Sequence, residues 1–336
     1  MNGGRTGWIL GLMICALLLA LLGSLVLGET QLGLAQLADA FRGRGDELPR
    51  MLLWDLRLPR ALVGMAVGAA LAVSGVVMQA FFRNALASPG LLGVSSGGAF
   101  GAVLVLALGW GAVSLWVLPA ASLAGAFVAT LAVMAFARQG ASTEHLLLSG
   151  VALNALFGAG TSFLLNLSAS HFQAGGQVLF WLMGGLENRT WEHVWMSLPG
   201  ILVGCVLLLP LGRAMNLLAM GETGARSLGV DVNRLRWQLV ALSTLLTALA
   251  TAVGGIIGFV GLVVPHILRL AFGPDHRKLL LLSMVGGALF VLACDLATRL
   301  LPAGLRLGVV TSLLGGPFFL WLLRRGTASP THRESR

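Results

Sequence analysis

Residues 91–136 run for 46 positions without one acidic or basic side chain. A helix needs about 20 apolar residues to cross the hydrocarbon core of a bilayer, so this run holds two crossings, with a turn near 109–111. Similar stretches recur along the 336 residues, of which 57% are hydrophobic and only 10% charged. That composition excludes a soluble globular domain and predicts an all-α polytopic membrane protein. Ten spans are read at 8–28, 61–82, 91–108, 115–136, 146–167, 194–211, 237–257, 259–272, 279–297 and 307–323. They fill residues 1–336 as one transmembrane domain, with Pro265 as a break in the eighth span. The first apolar run is longer than the roughly 7–15 residues of a signal peptide core, so it is read as an uncleaved span.

Charge fixes the orientation. The formal net charge is +9. The basic residues stand singly or in pairs at span ends rather than in runs, so they point to membrane topology and not to nucleic acid. With the amino terminus inside, fourteen basic and five acidic residues fall on the cytoplasmic side and eight of each on the other. The whole excess lies inside, and both termini are cytoplasmic. Arg57, Arg60 and Arg299 run against that bias, at span ends on the outer side. Spacing alone reads them either as a docking surface for an acidic partner or as headgroup anchors.

Residues 213–236, RAMNLLAMGETGARSLGVDVNRLR, form the one mid-chain segment that joins several charges to helical periodicity. Leu217, Leu218, Ala225 and Leu228 are spaced to make an apolar patch on a short helix, with Gly221, Gly224 and Gly229 as breaks. Such a knuckle on the cytoplasmic side is suited to a partner protein. The sequence carries no energy source of its own. The phosphate-cradling pattern GxxxxGK[ST] does not occur, and the single lysine, Lys278, follows Asp275-His276-Arg277. No carboxylate lies in mid-span where an ion-coupled carrier would need one; Asp295, at a span end, comes nearest. His171 and His193 are read either as outer-side ligands for an iron or haem cargo or as plain polar surface. Gly64 with Gly68, and Gly97 with Gly101, predict close helix packing. Cys15, Cys205 and Cys294 lie within apolar runs as inert thiols.

Several stretches carry a family resemblance: RLPRALVGMAVGAALAVSGVVMQ (57–79), RNALASPGLLGVSSGGAFGA (83–102), VLFWLMGGL (178–186), MNLLAMGETGARSLGV (215–230), GFVGLVVPHILRL (258–270), DHRKLLL (275–281) and GVVTSLLGGPFFLWLL (308–323). Together they resemble the FecCD family of iron-chelate and cobalamin uptake permeases, in that family's order over nearly the whole chain. Within them, Glu222, Ala225 and Gly229 look like the Glu-Ala-Ala…Gly coupling motif of ABC-importer permeases.

The resemblance implies a type II importer permease: two copies around one pathway, two cytoplasmic ATPase subunits and a periplasmic substrate-binding protein, in the bacterial inner membrane. It implies that Leu217, Leu218, Gly221, Glu222, Ala225, Arg226, Leu228 and Gly229 couple to the ATPase, and that Arg57, Arg60 and Arg299 dock the binding protein. Asn84, Leu86, Ser142 and Thr143 are implied to close the inner end of the pathway, which Asn154 and Thr311 line. The family's Asn-Pro-Leu is here Asn84-Ala85-Leu86. No cofactor is expected on this chain; ATP and magnesium belong to the partner ATPase. The expected cargo is a ferric siderophore, with haem or cobalamin as alternatives. The rival classes are an ion-coupled carrier and a membrane-embedded enzyme.

Overall fold

The computed structural model describes residues 3–28, 30–136, 143–168, 178–179, 181–301 and 304–326. Among them every regular element is a helix. Seven helices are long and apolar enough to cross a membrane, and three shorter apolar ones, 94–107, 260–272 and 307–322, accompany them.

Fourteen α-helices are labelled in chain order. They are α1 (Gly3–Val26), α2 (Leu34–Phe41), α3 (Glu47–Met51), α4 (Leu58–Phe81), α5 (Val94–Ala107), α6 (Val117–Phe136) and α7 (Thr143–Ser168). After them come α8 (Trp191–Leu208), α9 (Gly212–Ala219), α10 (Glu222–Ser227), α11 (Val232–Gly254), α12 (Val260–Phe272), α13 (His276–Leu300) and α14 (Leu307–Gly326).

The hub is α4. From Val63 to Phe81 nearly every residue is buried, including Gly64, Gly68 and Gly75. Lipid tails are as apolar as leucine, so helices in a bilayer associate through tight van der Waals contact and interhelical hydrogen bonds rather than hydrophobic burial. Both devices surround α4. A Cβ on Gly68 would stand 2.1 Å from the Gly287 carbonyl oxygen of α13, and one on Gly75 would stand 1.8 Å from that of Gly261 in α12. Against α11, the Ser74 hydroxyl lies 2.7 Å from both the Ser243 and Thr247 hydroxyls. The α5–α6 pair uses the predicted glycines likewise: a Cβ on Gly97 would meet the Gly125 carbonyl and one on Gly101 that of Ala121.

Two sequence expectations are corrected here. The helix that holds the second span begins well before residue 61. Helical structure starts at Glu47 and passes through a π-helical turn, Leu52–Arg57, into α4. The Leu58 N–H reaches back to the Leu53 carbonyl. This wide turn comes just before Pro59, which has no N–H to give. Nor does Pro265 break the eighth span: α12 runs through it without interruption.

Helices α1 and α7 sit at the periphery. Leu12, Leu18 and Leu19 of α1, and Leu148, Leu156 and Phe163 of α7, are largely exposed. Exposed apolar side chains at this density are suited to lipid or to another subunit.

Candidate functional site

The chemistry-bearing side chains gather at the two ends of the bundle. At one end, the end of α1, the start of α4, the end of α13 and the loop before α8 surround a cavity of about 730 Å3. Arg57, Arg60, Arg189, Arg299 and Arg306 line it, with Glu187 as the acid among them. Arg60 holds Asp295 by its Nε at 3.0 Å and its Nη2 at 2.8 Å. Arg299, one turn along from Asp295, grips the second carboxylate oxygen and also donates to the Ser24 carbonyl at 3.0 Å. Asp295 is fully buried. A buried carboxylate is stable only when paired and hydrogen-bonded, and two guanidinium groups meet that need.

Arg57 is buried as well and meets no carboxylate among the described residues. It donates to the Leu25 carbonyl at 2.6 Å, to that of Val26 at 2.9 Å and to that of Thr30. The last carbonyls of a helix have no intrahelical partner, so this guanidinium closes the end of α1. The three outer arginines named from sequence are thus brought together, but all are engaged within the chain.

Sequence reasoning missed their companions. Arg306 pairs with Glu187 at 2.9 Å. Arg189 donates from Nε to the Val253 carbonyl at 2.5 Å. Burial pushes the Arg189 guanidinium below its ordinary pKa, Glu187 pulls it back up, and Arg60 adds to the lowering. The turn carrying Glu187 and Arg189 is seated by Gly184, whose φ is +64 and where a Cβ would stand 2.2 Å from the Ile256 carbonyl oxygen. Glycine alone adopts that conformation at such close approach. The glycine pair Gly184-Gly185 was the available signal in the sequence. His193 is a cap, with Nδ1 3.0 Å from the Thr190 hydroxyl. His171 lies outside the described residues.

At the other end, residues 213–236 fold as α9, α10 and the start of α11. Here the predicted apolar patch is corrected. Leu218 and Ala225 are buried in the central core, and Leu217 packs partly against it. Periodicity marked them as one face, but that face points into the protein. The apolar side chains left outside are Met220, 79% exposed, and Leu228, 63% exposed. Glu222 opens α10 and pairs with Arg236 at 2.5 Å, with Arg226 further off at 3.9 Å. Gly221 (φ +121) and Gly229 (φ +83) bound α10, each with open space around it. Behind α9, Asn216 donates to Asp275 at 2.8 Å and accepts from the His276 N–H at 2.9 Å. Burial opposes ionisation of Asp275, but the Asn216 amide, the Arg277 N–H and the charges of Lys278 and Arg277 outweigh it and lower its pKa.

The predicted pathway residues that are described lie on the loop after α4 and on α7 and α14. Asn84 accepts from the Leu86 N–H at 2.9 Å, a side-chain turn that shapes the loop after α4. Asn154 ties α7 to the loop before α5: its amide donates to the Gly90 carbonyl at 3.0 Å, and the Ser96 hydroxyl donates to its oxygen at 2.5 Å. Thr311 is fully buried and donates to the Gly308 carbonyl of its own helix, so within one chain it faces the interior and lines no open surface. On the outer face of α14 the exposed polar neighbour is Ser312. Ser142 lies outside the described residues, and Thr143 begins α7.

Among the described residues, ten apolar helices around one buried hub, with charges drawn to both ends, define a multi-pass membrane protein. The chain belongs to the FecCD transport family, which matches residues 16–325. It is 45% identical over 280 residues to the cobalamin import system permease protein BtuC of Halobacterium salinarum, covering 83% of this chain and 74% of that one. It is 43% identical over 318 residues to the vitamin B12 import system permease protein BtuC of Shigella boydii, covering 94% of each. Among solved structures, an inward-facing metal-chelate type ABC transporter superposes with a TM-score of 0.86 at 33% identity, covering 95% of this chain and 99% of that one. PsaBC from Streptococcus pneumoniae, in complex with Fab, shares the fold with a TM-score of 0.56 at 17% identity over 85% of this chain and 94% of that one. The protein is therefore an ABC importer permease of the FecCD type.

Proposed function

We propose that this permease carries cobalamin, driven by ATP that a separate subunit hydrolyses. The observation that carries the cargo reading is the 43% identity, over 94% of both chains, to a permease named for vitamin B12 import. A ferric siderophore, the cargo expected from sequence, becomes the second reading, favoured by the metal-chelate transporter of TM-score 0.86. Two copies of the chain enclose the pathway, flanked by two cytoplasmic ATPase subunits and a periplasmic substrate-binding protein, in a bacterial inner membrane with both termini inside.

Charge supports the docking role of Arg57, Arg60 and Arg299. Among the described residues, Asp295 neutralises one of the two guanidinium groups that hold it, Arg57 meets only carbonyls, and Glu187 pairs with Arg306. The outer cavity therefore keeps a positive surplus for carboxylates of a binding protein. At the opposite end, Met220 and Leu228 are the apolar side chains that α9 and α10 offer to an ATPase groove, with Leu217, Leu218 and Ala225 as their buried footing. Asn84, Leu86, Ser142 and Thr143 close the inner mouth. Asn154 shapes the wall, and Thr311 supports it by holding the first turn of α14.

Uptake by the permease, its ATPase and its binding protein in lipid vesicles tests the cargo. Labelled cobalamin, a ferric siderophore and haem are offered in turn. Cobalamin is expected to accumulate with ATP. Accumulation of the ferric chelate alone would overturn the cargo reading while leaving the permease assignment in place.

A further inference from the structure

One side chain joins the coupling segment to the end of the hub helix. Arg236, near the start of α11, donates from Nη2 to the Glu222 carboxylate of α10 at 2.5 Å. Its guanidinium carbon lies 5.6 Å from the centroid of the Phe81 ring, at the last residue of α4. Its Nε is buried and has no hydrogen-bond partner among the described residues. A guanidinium held between a carboxylate and an aromatic face makes a charge-assisted hydrogen bond on one side and a cation–π contact on the other.

Beyond Phe81 the chain leads directly into the pathway loop. Phe81 packs edge-on against Phe82, with centroids 4.9 Å apart. The backbone then turns through Arg83, whose φ is +49, into Asn84. The Asn84 N–H returns to the Gln79 carbonyl at 3.1 Å. Gln79 is held separately: Arg269 of α12 donates to its side-chain oxygen at 2.7 Å, and its amide donates to the Leu262 carbonyl at 3.4 Å. The last turn of α4 thus has two arginine contacts, one anchored to α12 and one to the coupling segment. At the far end of the second contact, α10 is bounded by Gly221 and Gly229, both in conformations that favour glycine and both with open space where a Cβ would stand. A short helix between two such residues can shift as a unit.

We propose that Arg236 is the transmission residue of this permease: it delivers displacement of α10 to the end of α4 and so to the loop at residues 83–86. It touches no cargo and is a positioning residue. The proposal rests on the reading of residues 217–229 as the ATPase contact.

The test uses the permease–ATPase complex with its binding protein in lipid vesicles, comparing wild type, R236Q and R236K. In R236Q the ATPase subunit is expected to remain in the purified complex and hydrolyse ATP, while cobalamin imported per ATP falls about tenfold, the scale of a coupling free energy between two sites. R236K keeps the cation for both contacts and is expected to restore most of the loss. The swap E222R with R236E is not, because it sets a carboxylate against the negative face of the Phe81 ring. A cargo-free readout accompanies these. A fluorophore on Ala85→Cys, with Cys15 replaced by serine, is expected to respond to ATP in the wild type and to fall silent in R236Q. Wild-type import per ATP in R236Q, or loss of its ATPase subunit, would overturn the proposal. A wild-type complex that retains no ATPase would instead contradict the permease–ATPase reading beneath it.

Discussion

Asp295 shows how an isolated residue of sequence becomes half of a site. It reads as a lone acid at a span end, yet it is fully buried between Arg60 and Arg299. The exception to the charge bias made the three outer arginines legible. The long-range pairs Arg60–Asp295 and Arg306–Glu187 were not, because an ion pair between residues 235 positions apart is decided by helix packing and not by local pattern. Asp295→Ala leaves two guanidinium groups facing each other without their counter-charge. Breaking a buried pair from one side costs about 3–5 kcal/mol, so the variant is expected to melt well below wild type in detergent. Unchanged melting would show that water, not Asp295, compensates those arginines. Asp275 gives a pH-dependent counterpart at the opposite end. Its carboxyl is held below its ordinary 3.8, so it binds fewer protons when folded than when unfolded. Its contribution is fully present above pH 3.8 and fades as pH falls below that value through its lowered native pKa. The stability difference between wild type and Asp275→Asn is expected to be constant near neutrality and to shrink in acid; a difference that grows in acid would contradict this assignment.

At the scale of elements, spacing located the helices better than it located their faces. The glycine pairs Gly64/Gly68 and Gly97/Gly101 were read as packing positions, and Gly68, Gly97 and Gly101 meet backbone of a neighbouring helix. The partner helix was not legible, since small residues mark a close approach without naming what approaches. Gly75→Ala would place a Cβ 1.8 Å from the Gly261 carbonyl oxygen. Overpacking of this kind costs about 1–3 kcal/mol when neighbours can shift, and here the neighbour is backbone. The yield of folded protein is expected to fall sharply for Gly75→Ala and hardly at all for Gly11→Ala on exposed α1. The coupling segment was found by its charges and glycines, but of the apolar patch read there only Leu228 is largely exposed, while Leu218 and Ala225 are buried. A short amphipathic helix shows which residues share a face, not whether that face meets core or partner. Gly229→Asp introduces a side chain at φ +83 in open space. It is expected to reach the membrane in normal amount yet to lose ATPase recruitment and uptake, read by co-purification and transport. Normal recruitment would place the ATPase contact elsewhere.

For the whole molecule, the fold class was legible because the bilayer leaves so few solutions: long apolar runs, no strand pattern, and excess positive charge assigned to one side. The cargo was not legible. A permease wall that lets a bulky chelate slide does not display its chemistry in any motif. Only likeness along the entire chain moved the reading from ferric siderophore to cobalamin. The central claim is that this subunit is a passive conduit opened by an ATPase it does not contain. The most direct measurement is uptake of labelled cobalamin into sealed vesicles holding the permease and its binding protein, with and without the ATPase subunit. The account predicts accumulation against the gradient only when the ATPase and ATP are both present. Accumulation by the permease without them would contradict it.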